Sequence, residues 1–270
     1  MSYKKNIILS IILFVFVIMM IFPIFWTITT SLKTSSEIQN PDITIMPENY
    51  DNIENYREVI KENNFLTMIW NSFKLCLIVL LFTVFLSTLA GYGFAKFDFR
   101  FKEVLYFINI GVLMVPFQSV AIPLYKTFDA VGLKDTFIGL ALPLLVSAFG
   151  IVIMRESIST IPSDYIDAAR LDGLSEIGIF FRIILPMVKP AIVAIVIIKF
   201  ILTWNELLWP LIIIESPENY TVTLGLAEMT MNPYDTITAA LTISLAPILV
   251  IYILLRKWMI KTLSGTGLKL

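Results

Sequence analysis

The sequence predicts an all-α integral membrane protein, with six transmembrane helices and a short cytoplasmic helix between the fourth and fifth. Three observations support this class. Hydrophobic residues make up 57% of the 270 residues, charged residues only 15%, and the mean hydropathy is +0.83, which is too apolar for one soluble core. Six apolar runs are about 20 residues long, enough to cross about 30 Å of hydrocarbon as helices. The polar stretch PSDYIDAARLDG then interrupts this apolar chain at Pro162.

The chain is predicted to be a single transmembrane domain covering residues 1–270. The remaining segments are an extracytoplasmic loop at 33–64, a cytoplasmic loop at 162–182 and an outer loop at 215–235. The predicted spans are residues 7–29, 75–95, 104–125, 137–154, 191–214 and 238–255.

The first span is expected to be a retained anchor. Lys4 and Lys5 precede it, as in a secretory signal, but the run is longer than a signal's apolar region and no A-x-A pattern follows. The acidic loop at 33–64 contains Pro41 and Pro47, which break it into short pieces. It is either a cover over the helix ends or a contact surface for an extracellular partner, and the loop at 215–235 has the same two interpretations.

The second span carries small residues four apart. Ser87, Gly91 and Ala95 form the pattern that lets helix backbones approach closely within a membrane. We expect a packing seam on this face. Prolines in or near the other spans, such as Pro116 and Pro143, predict kinks, which membrane helices tolerate when neighbours satisfy the freed carbonyls.

The polar stretch predicts a helix, a tight turn and a second helix at the cytoplasmic face. Pro162 ends the preceding segment, Ser163 or Asp164 can cap the new helix, and Asp167 adds negative charge that the helix dipole favours in the first turn. Gly173 supplies the C-terminal stop. A second start follows at Ser175. An ordinary amphipathic helix lying at the membrane surface is the alternative interpretation.

The fifth span is unusual because KFILTWNE lies between two strongly apolar halves, starting at Lys199. Charges at that depth cost about 2.5 to 3.5 kcal/mol and tend to face a bundle interior or a water path. An aromatic platform beside an amide and a carboxylate suits a hydroxylated solute, so Trp204, Asn205 and Glu206 are predicted to line a substrate path. Asn71 and Gln118 are weaker candidates, since either could satisfy backbone groups instead.

The distribution of basic residues predicts the orientation. One assignment of the loops collects 13 of the 20 lysines and arginines on the side of both termini, while the opposite loops carry a larger acidic set. The positive-inside rule therefore places both termini in the cytoplasm of a multi-pass cell-membrane protein. The basic set is Lys4, Lys5, Lys96, Arg100, Lys102, Arg155, Arg170, Arg182, Lys189, Arg256, Lys257, Lys261 and Lys269, and the acidic set includes Glu37, Asp42, Glu48, Asp51, Glu54, Glu58 and Glu62.

Residue types that are missing exclude several chemistries. Histidine is absent and the one cysteine, Cys76, falls inside a span, so a haem protein, a metalloprotease or a bound metal is not expected. No G-x-x-x-x-G-K-[ST] motif occurs, so the chain has no phosphate-binding loop of its own. If ATP drives this protein, another chain hydrolyses it.

Several motifs resemble those of one transporter family. DAARLDG from Asp167, followed by FFRIILP, resembles the EAA motif of ABC-type importer permeases, with aspartate in place of the usual glutamate and Leu174 where alanine is frequent. Further segments of this chain resemble, in the same order, segments of the carbohydrate-uptake branch of that family, and within it the MalG-type inner-membrane subunit. The similar segments are FPIFWTITTSLK, NS, LAGYGFAKF, VPFQSVAIPLY, WNELLWPL and the tail KTLSGTGLK from Lys261.

The resemblance implies that this chain is a sugar permease subunit and not an enzyme. The helix in 162–182 would be a coupling helix that docks on an ATP-hydrolysing subunit. Implied partners are a second permease, two copies of an ABC ATPase, an extracellular solute-binding protein, a sugar substrate and membrane lipid; nucleic acid is not expected. No cofactor is bound by this chain, because ATP is used by the partner subunits. The docking residues would be Asp164, Asp167, Ala168, Ala169, Asp172 and Gly173.

Three alternatives differ in their chemistry. An ion-coupled secondary transporter could use Glu206 or Lys199 to carry a proton, but it leaves the polar helix without a role. A membrane-embedded transferase lacks histidine and clustered carboxylates. An ABC permease for a non-sugar solute, such as a glycerol phosphate, is similar in sequence pattern, but the spans show no cationic pair that would seat a phosphate.

Overall fold

The computed structural model describes residues 2–42, 44–50, 52–61, 64–229 and 233–266, and within these ranges the regular structure is helical. Asp51, Glu62 and Lys269, which entered the orientation argument, lie outside the described residues. So do the side chains of Lys4, Lys5, Lys257 and Lys261 and the last residues of the similar C-terminal tail.

The chain forms fifteen α-helices over the described ranges, linked by short turns. Two 3₁₀ turns, Leu142–Leu144 and Pro217–Asn219, and one π-helical turn, Phe180–Ile184, lie between them. The helices are α1 Ser2–Thr30, α2 Ser35–Gln39, α3 Glu54–Lys61, α4 Phe65–Lys96, α5 Lys102–Val112, α6 Phe117–Ala130, α7 Phe137–Ala141, α8 Ala148–Ser159, α9 Ser163–Leu171, α10 Glu176–Ile179, α11 Leu185–Met187, α12 Lys189–Trp204, α13 Leu208–Ile213, α14 Val222–Glu228 and α15 Tyr234–Thr266.

Three helical segments among the described residues are long and apolar enough to cross a membrane unbroken: Leu9–Thr30, Phe65–Lys96 and Tyr234–Leu254. They correspond to the predicted first, second and sixth spans. The second begins ten residues before its predicted start, because the less apolar residues from Phe65 continue the same helix.

The predicted third and fourth spans are bent pairs of helices and not continuous helices. A third bent pair, Glu176–Met187 with Lys189–Trp204, ends within the predicted fifth span. The bends are 98° between α5 and α6, 42° between the α7 segment and α8, and 75° between α11 and α12. Proline explains two of them, because it has no N–H for the residue four positions earlier and its ring clashes with that carbonyl. Thus α5 ends at Val112, four residues before Pro116, and Pro190 lies in the first turn of α12. If each pair is counted as one span, the total is six.

The fifth span also ends earlier than predicted. Helix α12 stops at Trp204, and the apolar residues up to 214 belong to the separate helix α13. Pro210 lacks the N–H that a continuous helix would have donated to the carbonyl of Glu206. The prediction of one helix over 191–214 was therefore wrong, because the apolar pattern does not register a helix break.

The described chain divides into two compact units. One extends to Ile69 and includes Gly225–Pro247. Within it the predicted loop at 33–64 forms α2 and α3, and Asn55 donates its amide to the carbonyls of Ser31 and Lys33, both at 2.8 Å. Ser35 donates to Asp235 at 2.7 Å, so α2 is bonded to the start of α15.

The other unit contains Trp70–Leu224 and the chain from Ile248 onward, and it has two apolar cores. One core surrounds Met154, Ile158 and Ile184. The second surrounds Trp209, which is fully buried and donates its indole N–H to the carbonyl of Gly139 at 3.1 Å.

The predicted packing seam on the second span is confirmed. A Cβ added at Gly91 would lie 2.6 Å from the Cβ of Met154, and one added at Gly150 would lie 2.5 Å from the Ser87 hydroxyl. Helices α4 and α8 therefore approach at distances that only glycine permits on either side.

Candidate functional site

The polar segment forms the predicted helix, turn and second helix. Helix α9 is followed by Gly173 at φ +81°, a left-handed conformation that favours glycine, which confirms the predicted stop. The second start is also confirmed, because the Ser175 hydroxyl accepts from the N–H of Gly178 at 3.2 Å.

The N-terminal end of α9 differs from the prediction. Pro162 occupies the N-cap position and no side chain caps the helix, so neither Ser163 nor Asp164 has that role. Asp164 is the acidic residue in the first turn, whereas Asp167 lies one turn later. Proline fixes φ where the chain enters the helix. Asp167, one turn further on, pairs with Arg170 at 3.1 Å.

The two faces of α9 have opposite environments. Ile166 and Ala169 are buried in the core around Met154, and Ala169 is only 5% exposed. A spacing of three places Ala169 on the inward face with Ile166, yet Ala169 also lines the groove described below, so its place in the docking surface stays a prediction. The remaining predicted docking residues are exposed: Asp164, Asp167, Ala168, Asp172 and Gly173.

Two exposed apolar residues adjoin this surface, and the sequence reading missed both. Leu171 is 90% exposed and Tyr165 is 56% exposed. A groove of about 550 Å³ runs beside them, lined by Pro162, Asp164, Tyr165, Ala168, Ala169, Asp172, Leu174 and Ile183. Leu171 lies between Arg170 and Asp172 in the sequence, so this surface combines exposed apolar and charged side chains.

Side-chain bonds join this segment to α4. Arg170 donates to Asp167 at 3.1 Å and to Glu176 at 2.8 Å, and the Tyr92 hydroxyl donates to the other carboxylate oxygen of Glu176 at 2.8 Å. The hydrogen bond to Glu176 raises the pKa of the Arg170 guanidinium. Lys96, at the end of α4, donates to the carbonyl of Ile161 at 2.5 Å. The i,i+3 spacing of Asp167 and Arg170 was a signal in the sequence, but the pairing across 84 residues was not.

The predicted substrate-path residues lie at the break between α12 and α13. Trp204 is 2% exposed and stacks on Phe200 with ring centroids 5.6 Å apart. Asn205 is exposed and donates to the carbonyl of Ile201 at 2.8 Å. Glu206 accepts from the N–H of Trp209 at 3.2 Å and so caps α13. The three residues are together, but each has a structural bond or packing partner.

The two weaker path candidates lie elsewhere. Asn71 is buried and donates to the carbonyls of Glu218 at 2.7 Å and Tyr220 at 3.1 Å, which fixes the loop before α14. Gln118 is exposed in the first turn of α6. Lys199 is partly buried on α12, two turns before Glu206.

A carboxylate that the sequence reading missed organises a loop outside the spans. Asp135 accepts from the N–H groups of Glu215 and Ser216, both at 3.1 Å, and from the Ser216 hydroxyl. Asn219 donates to its side chain at 3.3 Å. Burial opposes ionisation of Asp135, but these hydrogen bonds from Ser216, Glu215 and Asn219 outweigh it and lower the pKa to about 2.

The described residues contain no cluster of three or more histidine, cysteine, aspartate or glutamate side chains that could hold a metal ion. Cys76 is a free thiol and is 1% exposed.

Comparison with known proteins agrees with the resemblance. The family described as "Binding-protein-dependent transport system inner membrane component" matches residues 83–265. The chain is 32% identical over 254 residues to the arabinooligosaccharides transport system permease protein AraQ of Bacillus subtilis (strain 168), covering 92% of this chain and 90% of that protein. It is also 32% identical to the lactose transport system permease protein LacG of Rhizobium radiobacter, over 91% of this chain and 90% of that protein.

A third relative has a different cargo in its name. The sn-glycerol-3-phosphate transport system permease protein UgpE of Brucella abortus (strain 2308) is 29% identical, over 97% of each chain. Among solved structures, a bacterial ABC transporter for import of the acidic polysaccharide alginate contains a chain of the same fold, with a TM-score of 0.84 and 20% identity over 94% of this chain and 96% of that one.

The family match covers more than half of the chain, and two relatives exceed 30% identity over nearly its whole length. Its apolar helices agree with a multi-pass membrane protein. This chain therefore belongs to the inner-membrane components of binding-protein-dependent transport systems.

Proposed function

We propose that this chain is one of two permease subunits of an ABC importer for carbohydrates, and that α9 is its coupling helix. The observation that carries the proposal is the exposed surface of α9, where Ala168 and Leu171 lie among aspartates while Ile166 anchors the helix to the core. An ATPase subunit that binds this surface and changes conformation would move the rest of the permease through the buried contact of Ile166. ATP would be bound and hydrolysed on two copies of a separate ATPase.

The orientation belongs to the same proposal. We place both termini and α9 in the cytoplasm, because lysines and arginines concentrate on that side. The segments 33–64 and 215–235 would then face outward, where a solute-binding protein delivers its cargo. A solved alginate transporter of this fold forms a complex with a substrate-bound periplasmic protein.

The proposed cargo is a sugar, since relatives covering most of the chain are named for arabinooligosaccharides and lactose. Asn205 and Glu206 would line the path at the break after α12, with the ring of Trp204 behind them and Gln118 and Asn71 contributing less. A glycerol phosphate is the second candidate, supported by the relative that covers 97% of the chain. Uptake of labelled arabinooligosaccharide, competed by unlabelled sn-glycerol 3-phosphate, separates the two.

Copurification with a backbone-matched control tests the docking role. Gly173→Val places a β-branched residue at φ +81°, and Gly132→Val does the same at φ +73°, with no atoms near the added Cβ in either place. Both substitutions strain the backbone, by roughly 1–2 kcal/mol, but only Gly173 borders α9. We expect Gly173→Val to lose the ATPase during purification from native membranes while keeping the second permease, and Gly132→Val to keep both.

Gly173→Asn is the rescue variant, because asparagine tolerates the left-handed conformation. Full retention of the ATPase and of uptake by Gly173→Val would refute the docking role. Uptake that collapses with an uncoupler while ATP remains would instead favour an ion-coupled secondary transporter.

A further inference from the structure

A hydrogen-bonded chain of side chains links the docking segment to α4. It runs from Asp167 through Arg170 and Glu176 to the hydroxyl of Tyr92, with separations of 3.1, 2.8 and 2.8 Å. Three of these four groups carry charge. Solvent screening weakens the two ion pairs, whose side chains are 42–61% exposed, whereas Tyr92 is buried and its bond to Glu176 is charge-assisted. Asp167 and Arg170 belong to α9, Glu176 begins α10, and Tyr92 is part of α4.

Tyr92 and Arg170 are the members of this chain that are held most firmly. The Tyr92 ring is buried and packs edge-on against Phe97, with centroids 5.1 Å apart, and against Phe180 at 6.1 Å. Arg170 uses Nε for Glu176 and Nη1 for Asp167, so its planar guanidinium cannot rotate without breaking a bond. Lys96 adds a second attachment from α4, to the carbonyl of Ile161.

The covalent route from α9 to α12 is less direct. It passes through the left-handed Gly173, the π-helical turn at Phe180–Ile184 and the 75° bend before α12. A π-helical turn has irregular hydrogen bonding and is a position where helix register shifts. These irregular backbone positions can change conformation when α9 is displaced, so the displacement need not reach α12. The side-chain contacts between α9 and α4 include no irregular backbone of this kind.

We infer that Arg170, Glu176 and Tyr92 are positioning residues that make α9 and α4 move as one body, so that displacement of the docking helix reaches a membrane span. Lys96 provides the second attachment of the same body. The inference rests on the proposed docking function, since it specifies how motion leaves α9. It assigns these residues no contact with the ATPase and none with the cargo.

The test measures the distance between α9 and α4 in the assembled complex. Cysteines introduced at Ser163 and Leu89, both exposed, would carry spin labels, and the native Cys76 is too buried to compete. Pulsed electron resonance would compare the complex without nucleotide and after trapping with ATP and vanadate, so no transported solute is needed. In the otherwise native chain we expect one distance distribution that is the same in both states.

The double variant Tyr92→Phe/Lys96→Met removes both attachments and keeps the apolar parts of the side chains. We expect it to retain the ATPase on purification but to show a second, separated population after trapping. Its enrichment should exceed the roughly tenfold effect of losing one hydrogen bond to a charged group, because two hydrogen bonds are lost. Tyr92→Phe alone, the variant least prone to misfold, and Glu176→Gln should each show a smaller separated population. Tyr252→Phe, which removes an exposed hydroxyl from α15, should match the native distribution.

Two results would overturn the inference while leaving the docking role intact. One is an ATPase-bound double variant whose distribution equals that of the native chain in both states. The other is a native chain in which α9 and α4 separate on trapping. Failure of the ATPase to copurify with the native chain would instead overturn the proposed function itself.

Discussion

Adjacent alanines at 168 and 169 differ in role because one residue along a helix turns the side chain by about 100°. Ala169 is buried in the core with Ile166, whereas Ala168 is exposed, although both contribute to the lining of the groove. Enlarging Ala169 would disturb the anchor of α9, whereas enlarging Ala168 would alter only the surface that a partner meets. The motif by itself gives two alanines and does not indicate which of them is buried.

Asp135 shows how one carboxylate organises a loop. Its backbone is left-handed, with φ +52°, and its N–H donates to the carbonyl of Ile213 at 2.8 Å, while its side chain accepts from residues 215, 216 and 219. The neighbouring Lys134 pairs with Glu215 at 2.7 Å, and that hydrogen bond raises the pKa of Lys134.

The pKa of Asp135 predicts how this loop responds to acid. Folding lowers the pKa from 3.8 to about 2, so the stabilisation is complete above pH 3.8 and is lost as pH falls toward 2. We expect the protection of the amides in 213–221, relative to their intrinsic exchange rates at each pH, to decrease over that interval. Asp135→Asn keeps the shape of the side chain and tolerates the left-handed backbone. At neutral pH it should lower the local stability of this partly exposed loop by about 1 kcal/mol, and amide exchange should be faster for that reason.

Hydrogen exchange with mass spectrometry is the measurement, and Asp129→Asn, an exposed carboxylate six residues earlier, is the control. If Asp135→Asn and the native chain exchange alike at pH 7, the carboxylate does not hold the loop.

At the scale of elements, the contact between α4 and α8 can be tested with two glycines of α4 that are two residues apart, Gly91 and Gly93. Gly91 has no room for a methyl group, since its added Cβ would meet Met154 at 2.6 Å and the Arg155 backbone nitrogen at 2.8 Å. Gly93 has no atom within 4 Å. Gly91→Ala should lower stability by roughly 1–3 kcal/mol through overpacking, whereas Gly93→Ala should be neutral or slightly stabilising because alanine favours helix.

Thermal midpoints of the detergent-solubilised variants, followed by size-exclusion fluorescence, would measure this difference. Equal midpoints for the two variants would mean that α4 and α8 do not approach as closely as the structure indicates.

Helix breaks were only partly predictable at this scale. Pro116 and Pro143 led to the expectation of kinks, and both lie close to observed bends. The stop at Trp204 was missed because the segments on both sides of Asn205 and Glu206 are apolar, and hydropathy does not report whether backbone hydrogen bonds continue. In the structure Glu206 caps the next helix through the N–H of Trp209, which makes the break stable.

For the whole molecule, exposed apolar surface indicates the surroundings. No residue of the most apolar window in Leu9–Thr30 is buried, so hydrocarbon or a neighbouring subunit must cover this helix. The sequence correctly predicted a membrane protein of this family, and the motifs needed no structure for that. The described helices are consistent with three to six spans, depending on whether each bent pair crosses as one.

The proposed orientation predicts opposite labelling of two introduced cysteines. Asn40→Cys lies in the predicted outer loop and Thr160→Cys lies just before α9, and both positions are exposed. A membrane-impermeant maleimide should label the first in intact cells and the second only in inside-out vesicles. The native chain, with Cys76 1% exposed, is the unlabelled control. Labelling of Thr160→Cys from outside would reverse the topology and refute cytoplasmic docking.

The sequence by itself determined that the chain is a membrane protein, the family to which it belongs, and the helix stop at Gly173. Apolar length, charge bias and the left-handed requirement at Gly173 act over a few residues or add up over the chain, so they can be read without neighbours. Only the tertiary structure decided which alanine faces the core, that Asp135 holds a loop eighty residues away, and that Tyr92 meets Glu176. These three features depend on which helices pack together. Hydrogen-bond partners that are far apart in the sequence leave no local sequence pattern from which the pairing could be predicted.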